Sequence, residues 1–594
     1  MCGIAGLVMA PGAPPPAPAT LAALTESLAH RGPDGAGHSV VGRTALVHTR
    51  LAIVDVAGGD QPLSSGGATL VANGEIYNDP ALRRAMPTTA FATGSDCEPP
   101  LHLWLRDGPG FAASLRGMYA LAIHDRARRC VSLSRDPFGI KPLYTAHIPG
   151  GLAFASEPRA FLDAGLVKRE VRPAARAELL QMQFTTGAET IFPGIRRVLP
   201  GETLHITDGH VLEQSRVAAL PEGAPESIGE DDALARLDRA LMDSVEAHRR
   251  SDVPYGMFLS GGVDSAAVLA CMARLEGGRV LAYTAGFDAP GAVDEREHAA
   301  TVAKAAGARH ETLEITEAMV WRHLPAIVAA MDDPAADYAI IPSWFLARHA
   351  RQDVKVVLCG EGGDEVFAGY GRYRSAMRPW WQGGRLMRGR GTFDKLDVLR
   401  APPVGWRDGL AASEGTAATP GRTRLQAAQA TDIADWLPHD LLLKLDRCLM
   451  AHGVEGRTPF LDPVVAAAGF RLPDALKVQG SRGKWLLRRW LETAMPAARP
   501  FAPKQGFTVP VGAWIAGQGA RLGPLVAASP GVAAIAHADR VVALFRRAEG
   551  RREAFAAWSL LFYALWHRAH IEARPTDGPT GGPNGGDVFA ALED

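Results

Sequence analysis

The stretch FLSGGVDS, residues 258–265, joins an apolar run to a helix through two adjacent glycines. Gly261 and Gly262 let the backbone turn tightly and expose its N–H groups, and a helix starting at once adds its partial positive charge. Together these make a phosphate cradle. A Ser-Gly-Gly turn alone is ordinary loop chemistry; the preceding strand and the following Asp264 and Ser265 favour the cradle. The GxxxxGK[ST] form of phosphate loop does not occur in the chain.

Outward from this point, apolar runs alternate with helical stretches. YGMFLS (255–260) leads to a helix from about Val263, VLAYTAGF (280–287) to one from about Asp294, and KVVLCG (355–360) to loops and helices. That alternation predicts a parallel, doubly wound sheet. The cradle resembles the pyrophosphate loop of enzymes that split ATP between its α and β phosphates. In LCGEGGDEVFAGY (358–370), glycines crowd around Glu361, Asp364 and Glu365. Near a triphosphate such carboxylates serve as Mg²⁺ ligands or a general base; otherwise they form an acidic loop. Asp294 and Glu295 either favour a helix N-terminus or act in the site. KLDRCLMAHGVEGRTPFLDP (444–463) sets Lys444, Asp446, Arg447, Glu455, Arg457 and Asp462 among apolar residues, so these charges need partners. GKWLLRRW (483–490) and PKQGFTVP (503–510) add Lys484, Lys504 and Gln505. A lysine beside the phosphates would stabilise departing pyrophosphate, although a surface helix lysine is the simpler reading of Lys484.

The first 200 residues read differently. GIAGLV, TALVHTRLAIVDV, ATLVANGEIYN, YALAIHD and CVSLSRD are short strand-like runs bounded by turn residues, which predicts a mostly antiparallel α+β domain. HRGPDG (30–35) carries an arginine and an aspartate of buried type. Arg50 would clamp a carboxylate, Glu75 and Asp96 an ammonium, and Asn73 with the Gly74 N–H an oxyanion. Singly, each has a plainer reading; Asn-Gly is first of all a hairpin turn. Cys2 would be a nucleophile if Met1 is removed. The freed α-amine, with a reference pKa of about 7.7–8.0, then accepts the thiol proton.

The 594 residues imply several domains, and 63 Lys+Arg against 64 Asp+Glu leave no electrostatic footprint for nucleic acid or an anionic membrane. The basic cluster WWQGGRLMRGRG (380–391) is expected to be a solvated or partner-facing loop. Six scattered cysteines without CxxC fit a reducing, cytoplasmic compartment. No run reaches the ~18–20 apolar residues of a membrane span. The first segment lacks a basic n-region and breaks into PGAPPPAPA after Ala10, which argues against a secretory or lipid-anchor signal.

MCGIAG, RGPD, NGEIYN, RDPFGIKPLY, SGGVDS, GEGGDE, GVEGRTPFLD and KQGF occur in this order. In combination they make the chain, over roughly residues 1–530, resemble bacterial-type glutamine-dependent asparagine synthetase. The resemblance implies an α+β N-terminal-nucleophile glutaminase domain with antiparallel sheets sandwiched with helices (1–210). It also implies a linker (211–232) and an α/β ATP-pyrophosphatase-type domain with a parallel sheet (233–530). A C-terminal helical extension (531–572) and a disordered tail (573–594) are expected to follow. The implied reaction takes aspartate, glutamine and MgATP to asparagine, glutamate, AMP and pyrophosphate, with no organic cofactor. Cys2 would be the nucleophile, and Arg50, Leu51, Ile53, Asn73, Gly74, Glu75 and Asp96 would hold glutamine. Leu259, Ser260, Gly261, Gly262, Asp264, Ser265, Ala285, Cys359 and Gly360 would contact the nucleotide, and Asp264 and Asp364 the Mg²⁺. Glu361 and Lys484 would serve the β-aspartyl-AMP intermediate, and Arg447, Glu455 and Arg457 would hold aspartate. A homodimer is a further expectation. Cys359 stands where the family often has Ser or Thr. DDPAADYAIIPSWF (332–345) is more apolar than in related members, which leaves amidation of another carboxylate, on a modified peptide, surface sugar or secondary metabolite, as the rival reading. A non-catalytic sensor or scaffold is disfavoured by the complete set Cys2, Asp264, Glu361, Asp364 and Lys484.

Overall fold

The computed structural model describes residues 2–277, 280–287, 295–385, 387–503, 509–574 and 587–593. Its first part is built on two six-stranded antiparallel sheets. One has the order Ile195–Arg197, Tyr144–Ile148, Gly151–Ala155, Gly3–Met9, Thr44–Arg50, Gly35–Val41. The other runs His210–Arg216, Glu202–Thr207, Cys130–Arg135, Gly117–Asp125, Ala68–Ile76, Leu63–Ser65. Ile4 and Val8 face the second sheet and pack with Val71, Ala122 and Leu133. Ala5 and Leu7, on the opposite face, pack with Leu21 and Leu24 of the helix Pro18–Ser27. The far face of the second sheet is covered by Leu101, Trp104 and Phe111. The order helix–sheet–sheet–helix buries both faces of Gly3–Met9, so this strand is apolar throughout instead of alternating. Gly6 is required there, since a Cβ would strike Phe154 and the carbonyl of Ala45.

The last strand of the second sheet, His210–Arg216, lies beyond the boundary expected at residue 210. It pairs with Glu202–Thr207 and therefore belongs to the first domain, and the connection begins after it.

The second part holds a five-stranded, all-parallel sheet. Its order is Arg309–Ile315, Leu281–Phe287, Tyr255–Phe258, Val356–Leu358, Glu455–Arg457. The chain moves outward from Tyr255–Phe258 in one direction and then returns to its other side, so a topological switch falls between Tyr255–Phe258 and Val356–Leu358. Ligands of open α/β sheets bind outside the carboxyl ends of strands at such a point. The two glycine loops, SGG and CGEGG, leave those two ends.

Two expectations about the C-terminus need correction. The helix Arg551–His570 is no appendage: Trp558 and Trp566 are almost fully buried, and their indoles donate to the carbonyls of Ala336 at 2.5 Å and Asp332 at 3.3 Å. Trp566 also meets Phe192 of the first domain. The tail is not wholly without structure either. Residues 575–586 lie outside the described residues, but Val588–Glu593 is helical, with Val588 and Phe589 buried and Phe589 beneath Arg521. Among the described residues, no helix is long and apolar enough to cross a membrane.

Candidate active sites

Cys2 is buried at the head of the strand Gly3–Met9. Its backbone nitrogen donates to Asn73 Oδ1 at 3.1 Å, and its carbonyl accepts from Arg31 Nε at 3.1 Å. Burial pushes the thiol up, and the backbone N–H of Leu51 opposes this. Asn73, fully buried on the adjoining sheet, has no partner for Nδ2 among the described residues, so one amide donor is available to an oxyanion. Gly74 cannot carry a side chain, because a Cβ would run into Tyr119 Cα at 2.6 Å on the next strand.

Glu75 and Asp96 come together beside Asn73. Both are buried, and burial raises both carboxyls, Asp96 to about 6. Asp96 Oδ2 accepts from the Ile76 N–H at 2.6 Å, Glu75 Oε2 meets Arg457 Nη2 at 3.1 Å, and Glu75 Oε1 has no hydrogen bond among the described residues. A buried carboxylate pair of this kind is suited to receive an ammonium. Arg50 is committed to the following turn, through Asp55 O at 2.7 Å and Val56 O at 3.1 Å, and to exposed Asp60 at 2.7 Å. Leu51 and Ile53 pack into the core of the second domain with Met257 and Leu259.

A second cleft of about 310 Å³ opens at the switch point of the parallel sheet. Leu259, Ser260, Asp264, Ser265, Ala285, Cys359, Gly360, Glu361 and Asp364 line it; Gly261 and Gly262 turn the loop behind it. The loop is preformed: Ser260 N donates to Ser265 Oγ at 3.1 Å and Gly262 N to Ser260 Oγ at 3.2 Å. Gly261 N donates to Glu295 Oε2 at 3.0 Å, which gives Glu295 a role in shaping the loop; Asp294 lies outside the described residues. Gly360 permits the two loops to touch, since a Cβ there would lie 3.0 Å from Ser265 N. A larger groove of about 790 Å³ lies at the surface by Arg390 and Arg551 and contains none of the motif residues.

Lys484 is not a surface lysine. It is buried, sits at φ 58° just before the helix Trp485–Ala494, and bridges Asp264 and Asp364, the latter at 2.6 Å. Burial lowers its pKa, but the two carboxylates more than reverse this. Enclosure raises Glu361, opposed by Lys444. Among the described residues, no group of three or more metal-ligating side chains occurs. Two carboxylates at a phosphate loop nonetheless suit Mg²⁺, which takes its remaining ligands from phosphates and water. Lys504 and Gln505 lie outside the described residues.

Arg447, Glu455 and Arg457, expected to hold aspartate, are elsewhere. Strand Glu455–Arg457 is the sheet edge that faces the first domain, so its side chains fill the interface between domains, not the cleft. Arg457 pairs with Glu455 at 2.6 Å as well as with Glu75. Arg447 pairs with Asp332 at 2.6 Å and Asp446 at 3.0 Å. Arg31 of the RGPD turn was absent from the expected site residues. It reaches Asp446 at 2.8 Å and Glu157 at 2.7 Å while holding the Cys2 carbonyl; its signal was an arginine in a turn otherwise of core type.

Residues 236–568 match the family described as Asparagine synthase, and residues 1–216 match the Glutamine amidotransferase domain. A putative glutamine-hydrolysing asparagine synthetase of Mycobacterium tuberculosis is 34% identical, over 96% of this chain and 98% of its own. Asparagine synthetase 1 of Bacillus subtilis is 31% identical over 93% and 94%, and asparagine synthetase B of Escherichia coli 28% over 83% and 79%.

Proposed function

Because the chain belongs to the asparagine synthase family and carries a glutamine amidotransferase domain, we propose that it is a glutamine-hydrolysing, ATP-dependent asparagine synthetase. The observation that carries this reading is the ladder Glu75–Arg457–Glu455, in which a carboxylate of the glutamine site and the edge strand of the nucleotide-binding sheet share one buried ion network.

In this reading Cys2 Sγ attacks the side-chain carbonyl of glutamine. Removal of Met1 turns the Cys2 nitrogen into an α-amine, which takes the thiol proton and returns it to the leaving ammonia. Asn73 Nδ2 and the Gly74 N–H receive the oxyanion. Glu75 and Asp96 bind the α-ammonium, and Arg50 takes the α-carboxylate in exchange for its pairing with exposed Asp60. Water then releases glutamate from the thioester.

In the second cleft the glycine loop binds the triphosphate, and the β-carboxylate of aspartate attacks the α-phosphorus as pyrophosphate leaves. Lys484 offsets the charge that builds up on the departing group. A Mg²⁺ ion held by Asp264 and Asp364 would neutralise further phosphate charge when bound. Ammonia attacks the resulting acyl-adenylate, Glu361 accepts its surplus proton, and AMP leaves. A half-buried carboxyl with a raised pKa is suited to that task near neutral pH. Six free cysteines support a cytoplasmic location.

The test is pyrophosphate release from MgATP with aspartate, using ammonia and then glutamine as nitrogen source. Both sources should support asparagine formation. No pyrophosphate above background at millimolar aspartate would end the proposal.

A further inference from the structure

Beside the nucleotide cleft lies a charged cluster that no step above employs. Lys444 lines the cleft beside Glu361, and its Nζ meets Asp337 Oδ2 at 2.9 Å. Asp440 follows one helical turn before Lys444. It is buried, its Oδ2 accepts from the Trp436 indole at 2.6 Å, and its Oδ1 has no partner among the described residues. Burial and Asp337 raise the Asp440 carboxyl to about 7, against the opposing pull of Lys444 and Arg388.

Arg388 supplies the opposite charge without neutralising it. It comes from the 380–391 segment, expected to be a solvated or partner-facing loop, and a left-handed backbone (φ 47°) sets its guanidinium between Trp436 and Phe184, 4.4 and 5.1 Å from the ring centres. Its Nε is buried and unpartnered, and it forms no ion pair with any described residue. Structural partners would pair directly, because a buried charge left alone is costly. Here Trp436 stands between the two, hydrogen-bonded to Asp440 along its edge and stacked on Arg388 across its face. Arg388 Nε and Asp440 Oδ1 are thus left without hydrogen-bond partners among the described residues.

We propose that this cluster recognises the acceptor amino acid. Arg388 binds its α-carboxylate, Asp440 with Asp337 binds its α-ammonium, and Lys444 guides the side-chain carboxylate toward the nucleotide. The assignment rests on aspartate being the acceptor, and it explains how a largely apolar 332–345 segment is compatible with that substrate: the segment contributes Asp337 to the cluster.

The test compares aspartate with 3-aminopropanoate, which lacks the α-carboxylate, and with succinate, which lacks the ammonium, in ammonia-dependent pyrophosphate release. Arg388→Met should lower kcat/KM for aspartate about 10²-fold or more, since a site built for a polar group discriminates strongly, and leave 3-aminopropanoate within threefold. Asp440→Asn should do the same for aspartate against succinate, and Arg388→Lys should recover part of the loss. Unchanged glutamine hydrolysis shows that the variants are folded. If Arg388→Met depresses aspartate and 3-aminopropanoate alike, or neither, the assignment is overturned while asparagine synthesis stands. A wild-type enzyme with no aspartate-dependent pyrophosphate release overturns both.

Discussion

Lys484→Met isolates the contribution of a single buried cation. Methionine keeps most of the length of the side chain and removes only its charge. The ammonium sits 2.6 Å from Asp364 Oδ1 and also bridges Asp264, with 4% of the residue exposed. At an effective dielectric of about 20, one such contact has a gross Coulomb energy of about 6 kcal/mol. Desolvation of the ammonium cancels much of this, and breaking a buried pair from one side costs about 3–5 kcal/mol. Part of that loss will appear as a lower denaturant midpoint. The transition-state part, comparable to removing one preorganised donor, is about 3–4 kcal/mol, or 10²–10³ in kcat. The assay is ammonia-dependent pyrophosphate release at saturating MgATP and aspartate, alongside glutamine hydrolysis measured alone. The expected result is a large fall in the first and no change in the second. A kcat within threefold of wild type would refute the reasoning, because Lys484 would then neutralise Asp264 and Asp364 only in the resting protein.

Cys2→Ala should abolish glutamine-dependent asparagine formation and retain ammonia-dependent formation; loss of both in product assays would make Cys2 structural. Asp96→Asn tests linkage. The folded carboxyl titrates at about 6, above its unfolded value of 3.8, so ionising it destabilises the fold progressively as pH rises through that window. The variant should therefore gain denaturant stability relative to wild type at pH 8 but not at pH 3.5, while its KM for glutamine rises. Trp558→Ala should cost about 3–5 kcal/mol in chemical denaturation, since it empties a fully buried indole site and orphans the Ala336 carbonyl; a midpoint unchanged from wild type would mean that the C-terminal helix is peripheral.

The sheet of the second domain was legible because its signals are local. Two apolar runs end in glycine turns, and both lie at the switch point, where backbone N–H groups and helix starts must serve a ligand. Lys484 was harder to read, because its burial depends on Asp264 and Asp364, which are distant in sequence. Arg447 and Arg457 were correctly seen as charges in need of partners. Their surroundings, however, depend on which strand forms the sheet edge, and no local pattern encodes that order. Arg388 was not singled out for a related reason: glycine and arginine composition describes a loop, whereas the direction of this one side chain is fixed by Phe184 and Trp436 from two other segments. The final helix was hidden by its short length behind a Gly/Pro-rich stretch.

The charged character of the domain interface has a physical consequence for coupling. Buried ion pairs contribute little net stability, because desolvation offsets most of their attraction, yet each is costly to break from one side. Set among the apolar contacts of the interface, the pairs Arg31–Asp446, Arg457–Glu75 and Arg197–Asp333 therefore favour one register over others. That register reaches the chemistry directly. The same Arg31 that pairs with Asp446 of the second domain holds the Cys2 carbonyl, and the same Arg457 that closes the parallel sheet holds Glu75 of the glutamine site. The nucleophile and its ammonium-binding carboxylate are thus positioned partly by the domain that consumes the ammonia, so a displacement of either domain disturbs the glutamine site.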